Sequence, residues 1–343
     1  MKTKRISTGA LLTLALFGCQ TSSDERLVFE NTNHISQKVY EVETEFAGLL
    51  NTQATSLSQV MSKYCQRSVD VDTVKQQWRK TMQSWMALQG QERGPQAALA
   101  QSWNMQFWPD KKNTTGRKMQ RLIATEQSWT QAQIAAQSVT VQGLGAVEWL
   151  LYDNKSDLAT SATTCQTAMA ISDNIQHNAA LILQAWQLNP WTQLDAKQWQ
   201  SEYIALLSNQ LEYSMKKMSR PLANFGHPRP YFSESWRSQT SMQNLYANLV
   251  SMQTLYLARG AGLDAMLRDM DKAALADRIV NQFAMAIETW PRDKSLFELL
   301  QTKQGYQYAY AQYNKLEQLK YLIHEEVAIE LGVVIGFNAT DGD

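Results

Sequence analysis

This chain of 343 residues has few histidines and no net charge, and each of these features excludes a class of function. The 4 histidines include no pair at the HExxH spacing, so the usual zinc-peptidase helix is absent. The 32 basic residues balance 32 acidic ones without a basic cluster, which argues against a nucleic-acid partner. Glycine-rich phosphate loops and the GxSxG turn are also missing, so the sequence shows no nucleotide cradle and no nucleophile elbow.

Strand patterns are scarce as well, whereas helical periodicity runs through most of the chain. No run of residues shows clean alternation between apolar and polar side chains bounded by turn residues. Between residues 35 and 64, apolar side chains recur every three or four positions, as on one buried helix face. We therefore predict an all-α fold. The same periodicity predicts further helices over about residues 74–85, 115–136, 145–152, 165–186, 196–218, 237–259, 272–289 and 305–324.

A break at Asn189-Pro190-Trp191 divides these helices into two sets. We expect an N-terminal helical bundle over residues 27–190 and a C-terminal helical bundle over residues 191–343. Residues 219–233 interrupt the second set, because three of the chain's 7 prolines lie there and exclude a helix interior. This segment is either a functional loop that carries His227 or a packed connector.

The first twenty residues predict export and lipidation. Positive residues precede a short apolar run over residues 9–17, and residues 16–19 form a lipobox ending at Cys19. We predict a signal peptide over residues 1–18, a tether over residues 19–26 and acyl chains on Cys19 that attach the chain to a membrane. Because no aspartate follows the cysteine, we expect an outer-membrane lipoprotein facing the periplasm. An ordinary secretory signal with an incidental cysteine is the alternative.

The 3 cysteines fit that location. If lipid occupies Cys19, then Cys65 and Cys165 remain, and two leftover cysteines in an oxidising periplasm are expected to pair. The alternative is two independent buried thiols. Neither cysteine belongs to a CxxC motif, which argues against a redox role.

Aromatic residues are abundant, with 11 tryptophans and 13 tyrosines. Several of them lie at breaks between predicted helices, namely Trp108, Trp191, Tyr231 and Trp236. Aromatic rings at such positions either line a ligand cleft or close the ends of the bundles.

Two segments carry a family resemblance. Residues 143–152 are similar to the GxHxxE segment of the imelysin family, and residues 331–343 are similar to its closing segment. Supporting matches in the family's order are Gly94-Pro95, Trp108-Pro109 and residues 234–238. Within the first motif, Gly143 and Glu148 match the family pattern, whereas Gly145 stands in place of the histidine.

The resemblance implies a fold of two four-helix bundles with a site where they meet, near Glu148. It also implies a bacterial envelope protein linked to iron acquisition, in a family of which some members are called metallopeptidases. Glu148 is the one candidate metal ligand that the motif supplies here, and iron or zinc is the metal to expect. One carboxylate alone does not provide the three protein ligands of a catalytic zinc.

We therefore expect a non-catalytic lipoprotein that binds a ligand or metal and works with components of iron or metal uptake. The alternatives are an imelysin-type metallopeptidase with an altered site, and a scaffold that binds a protein or glycan. His227 would replace the missing imidazole if its loop reached Glu148. The candidate ligand-binding residues are Gly143, Glu148, Trp108, His227, Ser235 and Arg237.

Overall fold

A computed structural model describes residues 30–333, and all the regular structure in that range is helical. No β-strand occurs among these residues, which confirms the predicted all-α class. The lipobox, Cys19, the tether over residues 19–26 and the part of the closing segment after residue 333 lie outside the described residues. No helix in the range 30–333 is long and apolar enough to cross a membrane.

The N-terminal helical bundle is built on three long helices, α1, α2 and α8, of which α1 packs against both others. Shorter helices pack against α2, α8 and one another. The helices are α1 (Gln37–Cys65), α2 (Val71–Met86), α3 (Gln96–Leu99), α4 (Ser102–Met105), α5 (Thr114–Ala124), α6 (Gln131–Ala135), α7 (Leu144–Tyr152) and α8 (Ala162–Ala185).

One predicted helix is divided in two. The periodicity predicts a continuous helix over residues 115–136, but α5 ends at Ala124 and α6 begins at Gln131. The physical reason is local: the Thr130 hydroxyl accepts from the Gln133 amide, and the Gln133 side chain accepts in return from the Thr130 amide. This capping box starts a new helix.

The C-terminal helical bundle centres on α9, α10, α12 and α14. Its first helix begins at a capping box between Asp195 and Gln198. The prediction that Pro221 lies in a loop is wrong, because α9 continues to Leu222 and contains that proline in its last turn. The helices are α9 (Ala196–Leu222), α10 (Ser241–Leu257), α11 (Leu263–Asp269), α12 (Ala273–Glu288), α13 (Leu296–Leu299), α14 (Lys303–Lys320) and α15 (Val327–Leu331).

The two bundles meet where α2 packs against α10 and the C-terminal end of α2 receives hydrogen bonds from side chains of α9 and α10. Helix ends leave carbonyls without intrahelical partners. Here the Asn248 amide donates to the Met86 carbonyl at 2.7 Å, and the Gln210 amide donates to the Ala87 carbonyl at 2.7 Å. The end of a helix in one bundle is thus satisfied by side chains of the other.

The turn between α8 and α9 is packed with aromatic rings. Trp191 contacts Trp186 and Trp199 at ring-centre distances of 5.4 and 5.0 Å, and Trp199 stacks on Tyr203. Since all four rings are buried, Trp191 closes the bundle ends and does not line a cleft.

Cys65 and Cys165 form a disulfide, as predicted. It joins the last residue of α1 to the first turn of α8 across a sequence separation of 100. Because α1 and α8 also pack along their lengths, the bond reinforces the main contact of the N-terminal bundle.

We expect the variant Cys65→Ser/Cys165→Ser to lose about 4–5 kcal/mol of unfolding free energy, since a loop of this length restricts the unfolded chain by roughly that amount. Urea unfolding followed by circular dichroism measures the loss. A reductant should destabilise the parent protein and leave the variant unchanged. Equal sensitivity of both proteins to the reductant would contradict the assignment.

Glu43 is a buried acid in α1 whose Oε1 accepts from the Gln91 amide at 2.8 Å, while its Oε2 has no partner. Burial raises the pKa of Glu43 to about 8, although the Gln91 hydrogen bond lowers it by a smaller amount. The folded chain therefore keeps a proton that the unfolded chain releases above its ordinary pKa of 4.5.

Between about pH 4.5 and about pH 8, the free energy of unfolding should therefore fall by about 1.4 kcal/mol per pH unit through Glu43. Urea titrations at four pH values measure this slope. Glu43→Gln should flatten it, whereas Glu288→Gln, at an exposed position of α12, should leave it in place. If the Glu43→Gln variant kept the same slope as the parent protein, the Glu43 carboxyl would have to be ionised in the folded parent over this pH range.

Candidate functional site

The position of α7 is set by a close approach of two backbone segments at Gly143. A Cβ atom at this residue would clash with the Met105 carbonyl and lie 2.6 Å from the Asn104 carbonyl oxygen. The Trp78 indole then donates to the Leu144 carbonyl at 3.0 Å. Gly143 therefore acts by letting α7 begin against the 104–105 backbone.

Glu148 lies on α7 and faces the segment that leads into α10. Its side chain is buried, with 5% exposed, and its Oε1 accepts from the Ser238 amide at 2.9 Å and the Ser238 hydroxyl at 2.8 Å. Burial raises the pKa of Glu148, while the two Ser238 hydrogen bonds and the charge of Arg237 oppose that rise. The carboxyl thus joins the N-terminal bundle to the C-terminal one.

Arg237 is held in place from the other side. Its Nε donates to Asp153 at 2.8 Å and its Nη2 to the Asn113 side chain at 2.7 Å, while the guanidinium lies 4.3 Å from the centre of the Trp236 ring. Asp153 neutralises the charge. The donor directions of Arg237 are therefore fixed before any ligand arrives.

These residues surround a small cavity of about 40 Å³, which we call the Glu148 cavity. That volume suits a few water molecules or one polar group of a larger ligand. A Cβ placed on Gly145 meets no atom within 4 Å, so this position leaves open space beside the site. The lining residues are Gln106, Phe107, Trp108, Asp110, Thr115, Gly145, Glu148, Tyr231, Ser233, Ser235, Trp236 and Arg237.

The structure brings most of the predicted site residues together. Trp108, Glu148, Ser235 and Arg237 line the cavity, and Gly143 sits at the start of the helix that carries Glu148. His227 is the exception, because it is exposed on the loop after α9 and does not line the cavity. That loop therefore supplies no imidazole in place of the motif histidine, whose position is occupied here by Gly145.

The donors around the cavity do not fit a catalytic metal centre. Glu148 and Asp110 are the carboxylates that line it, and both Asp110 oxygens accept backbone amides of Thr114 and Thr115 at the start of α5. Among residues 30–333, no three His, Cys, Asp or Glu side chains are grouped to hold a metal ion. A zinc site needs three such ligands.

An ion pair that the sequence does not reveal lies behind the cavity. Lys217 of α9 and Glu234 of the loop before α10 are 2.7 Å apart, and each is 1% exposed. The Lys217 ammonium also donates to Gln89 at 2.9 Å and Asn248 at 2.7 Å, so three oxygen acceptors match its three protons. Burial lowers the pKa of Lys217, and the Glu234 charge opposes that shift.

Amide side chains from both bundles complete this buried network. Gln89 and Gln106 donate to Glu234 Oε1 at 2.6 and 3.0 Å, and Asn244 donates to its Oε2 at 3.3 Å. The only signal in the sequence is a pair of asparagines four residues apart, Asn244 and Asn248, in a helix without charged residues. Such spacing puts both amides on one face.

The sequence matches the Imelysin family over residues 42–323. A solved structure of an imelysin-like protein from Psychrobacter arcticum aligns with a TM-score of 0.72 and 18% identity, covering 90% of this chain and 100% of that one. The protein assigned as iron-regulated protein A precursor from Parabacteroides distasonis aligns with a TM-score of 0.63 and 13% identity, covering 89% and 96%. At these identities, the likeness concerns the fold. A comparison with curated proteins returns no significant match.

Two glycines at the start of α7, the N-cap Gly143 and Gly145 in the first turn, offer a matched test of this geometry. Gly143→Ala should lower the unfolding free energy by about 1–3 kcal/mol, the usual cost of overpacking, because backbone carbonyls block the new methyl group. Gly145→Ala should be neutral or slightly stabilising, because its methyl group enters open space in a helix. Chemical unfolding of both variants checks the difference, and equal stabilities would contradict the described start of α7.

Proposed function

Because the chain belongs to the imelysin family, we propose that it is a non-catalytic, ligand-binding lipoprotein of the bacterial envelope that serves iron uptake. The observation that carries the proposal is the open space at Gly145, beside a buried Glu148. The position at which the resemblance expects an imidazole holds no side chain. A site of this kind can receive a polar group but lacks the ligands for metal-assisted hydrolysis.

The proposed ligand presents one polar group to the Glu148 cavity. Arg237 and Ser235 lie at the cavity as polar contacts, and Phe107, Tyr231 and Trp236 supply aromatic walls. Since the cavity holds only about 40 Å³, the rest of the ligand would lie outside it, against the seam between the bundles.

The iron connection rests on the resemblance and on the name of the Parabacteroides distasonis neighbour, which describes iron regulation. Export rests on the lipobox, and the word precursor in that neighbour's name is consistent with it. We propose that Cys19 anchors the mature chain to the outer membrane, facing the periplasm. Its partners there would be components of an iron or metal uptake system.

A metallopeptidase with an altered site is the second candidate. The observation that favours it is the buried carboxyl of Glu148, since a raised pKa is common among catalytic acids and bases. The absence of a matching donor set around that carboxyl places this candidate behind the first.

Metal and peptide assays separate the two candidates. The parent protein, purified without a metal-affinity tag, should contain no stoichiometric zinc or iron and should not cleave a peptide library. Gly145→His should bind zinc at least tenfold more tightly than Gly145→Ala in calorimetry, because residues 145 and 148 share one helix face. Stoichiometric metal in the parent, with cleavage that a chelator abolishes, would establish the peptidase instead.

The iron connection has its own measurement. The amount of the protein in its native bacterium should rise when iron is withheld, and deletion of its gene should slow growth on limiting iron. A strain carrying Glu148→Ala should grow like the deletion strain if the Glu148 cavity is the working site. Unchanged expression and unchanged growth under iron limitation would remove the proposed role.

A further inference from the structure

A larger cleft lies beside the Glu148 cavity and has different chemistry. Its volume is about 610 Å³, within the range of pockets that hold small organic ligands. It shares Gln106 and Trp108 with the Glu148 cavity but includes neither Glu148 nor Arg237. The residues before and within α3 and α4 form one wall, and α9 forms the other.

Two basic side chains of α9 line this cleft, Lys216 and Arg220. They are four residues apart and therefore share one face of the helix. Neither forms an ion pair with a carboxylate in the described part of the chain. The neighbouring charges on α9 are already paired, Lys217 with Glu234 and Glu212 with Lys320. Lys216 and Arg220 thus bring uncompensated positive charge to a concave surface.

Aromatic rings form the rest of the binding surface. The Trp108 ring lies 5.6 Å from that of Tyr213, and the Arg220 guanidinium lies 5.9 Å from the Trp108 ring. Trp103 also lines the cleft. Its ring lies 5.6 Å from that of Phe107, and 53% of the residue is exposed, so part of the ring surface is open to a ligand.

The floor of the cleft is fixed by Gly90. This residue has φ +82°, and a Cβ placed on it would lie 2.6 Å from the Tyr213 ring carbon Cγ. Because glycine alone combines that backbone conformation with that approach, the loop after α2 is pressed against α9. The cleft is therefore built by packing and does not depend on a mobile segment.

We propose that this cleft binds an organic anion that carries a flat ring, such as an aryl carboxylate or sulfonate. Lys216 and Arg220 would neutralise the acid group, and Trp103 and Trp108 would contact the ring. Glu92 is the one carboxylate in the lining; its exposed side chain leaves the cations in excess there. The absence of a basic cluster in the sequence argues against a nucleic-acid backbone as the occupant. This inference is independent of the proposed function, because it uses a different site.

Calorimetry with two matched probes tests the proposal: 2-naphthalenesulfonate and its neutral sulfonamide. The sulfonate should bind the full chain at least tenfold more tightly than the sulfonamide. Added salt should weaken the binding of the sulfonate and leave that of the sulfonamide unchanged. Lys216→Gln/Arg220→Gln should remove that preference, with a loss of about tenfold or more for the sulfonate. Trp103→Ala should weaken both probes.

Lys80→Gln/Arg121→Gln is the matched control, because it removes two exposed basic residues that do not line the cleft. It should bind both probes as the parent does. Circular dichroism and thermal unfolding confirm that each variant is folded. Absence of sulfonate binding at millimolar concentration, or undiminished binding by folded Lys216→Gln/Arg220→Gln, would overturn the proposal.

Discussion

The contact between the two helical bundles depends on the buried ion pair between Lys217 and Glu234. Removal of one partner from such a pair typically costs about 3–5 kcal/mol, because the other charge stays buried without compensation. Here the pair also fixes a route for the backbone. Glu234 is the first of five consecutive residues that end at Ser238, the residue that donates twice to Glu148. By holding Glu234, Lys217 and the surrounding amides help to position the segment that bears Arg237 against α7.

Both sides of the Glu148 cavity are thus positioned by interactions outside it. On one side, Gly143 permits the contact that starts α7, and Trp78 holds the first carbonyl of that helix. On the other side, Asp153 and Asn113 fix Arg237. The charged groups of this cavity have little freedom to rearrange, because Glu148, Arg237 and Asp110 are already hydrogen-bonded. Its capacity to bind depends on the open volume at Gly145.

Much of the fold could be predicted from periodicity, because apolar spacing reports directly on which helix face is buried. The break before α9 and the helix that carries Glu148 follow from such local signals, whereas the Cys65–Cys165 disulfide follows from the cysteine count and the expected oxidising compartment. The capping box at Thr130 is an equally local signal, since a threonine followed three residues later by glutamine starts a new helix inside the predicted range 115–136. The family motif, together with its supporting segments, also brought Glu148, Ser235 and Arg237 into one set.

What the sequence could not reveal depends on distant contacts. Lys217 and Glu234 look like surface residues in isolation, since only the tertiary fold buries them together. The position of His227 could not be predicted either, because the direction of its loop is set by packing and not by composition. The first described residues carry a further consequence: Glu30 accepts from the Asn189 amide at 2.7 Å, and a His34 ring nitrogen lies 2.8 Å from the Leu194 carbonyl oxygen. These two contacts attach the first described residues to the turn between α8 and α9. A lipid anchor at Cys19, as proposed, would therefore apply its pull near the middle of the chain and not at one end of the fold.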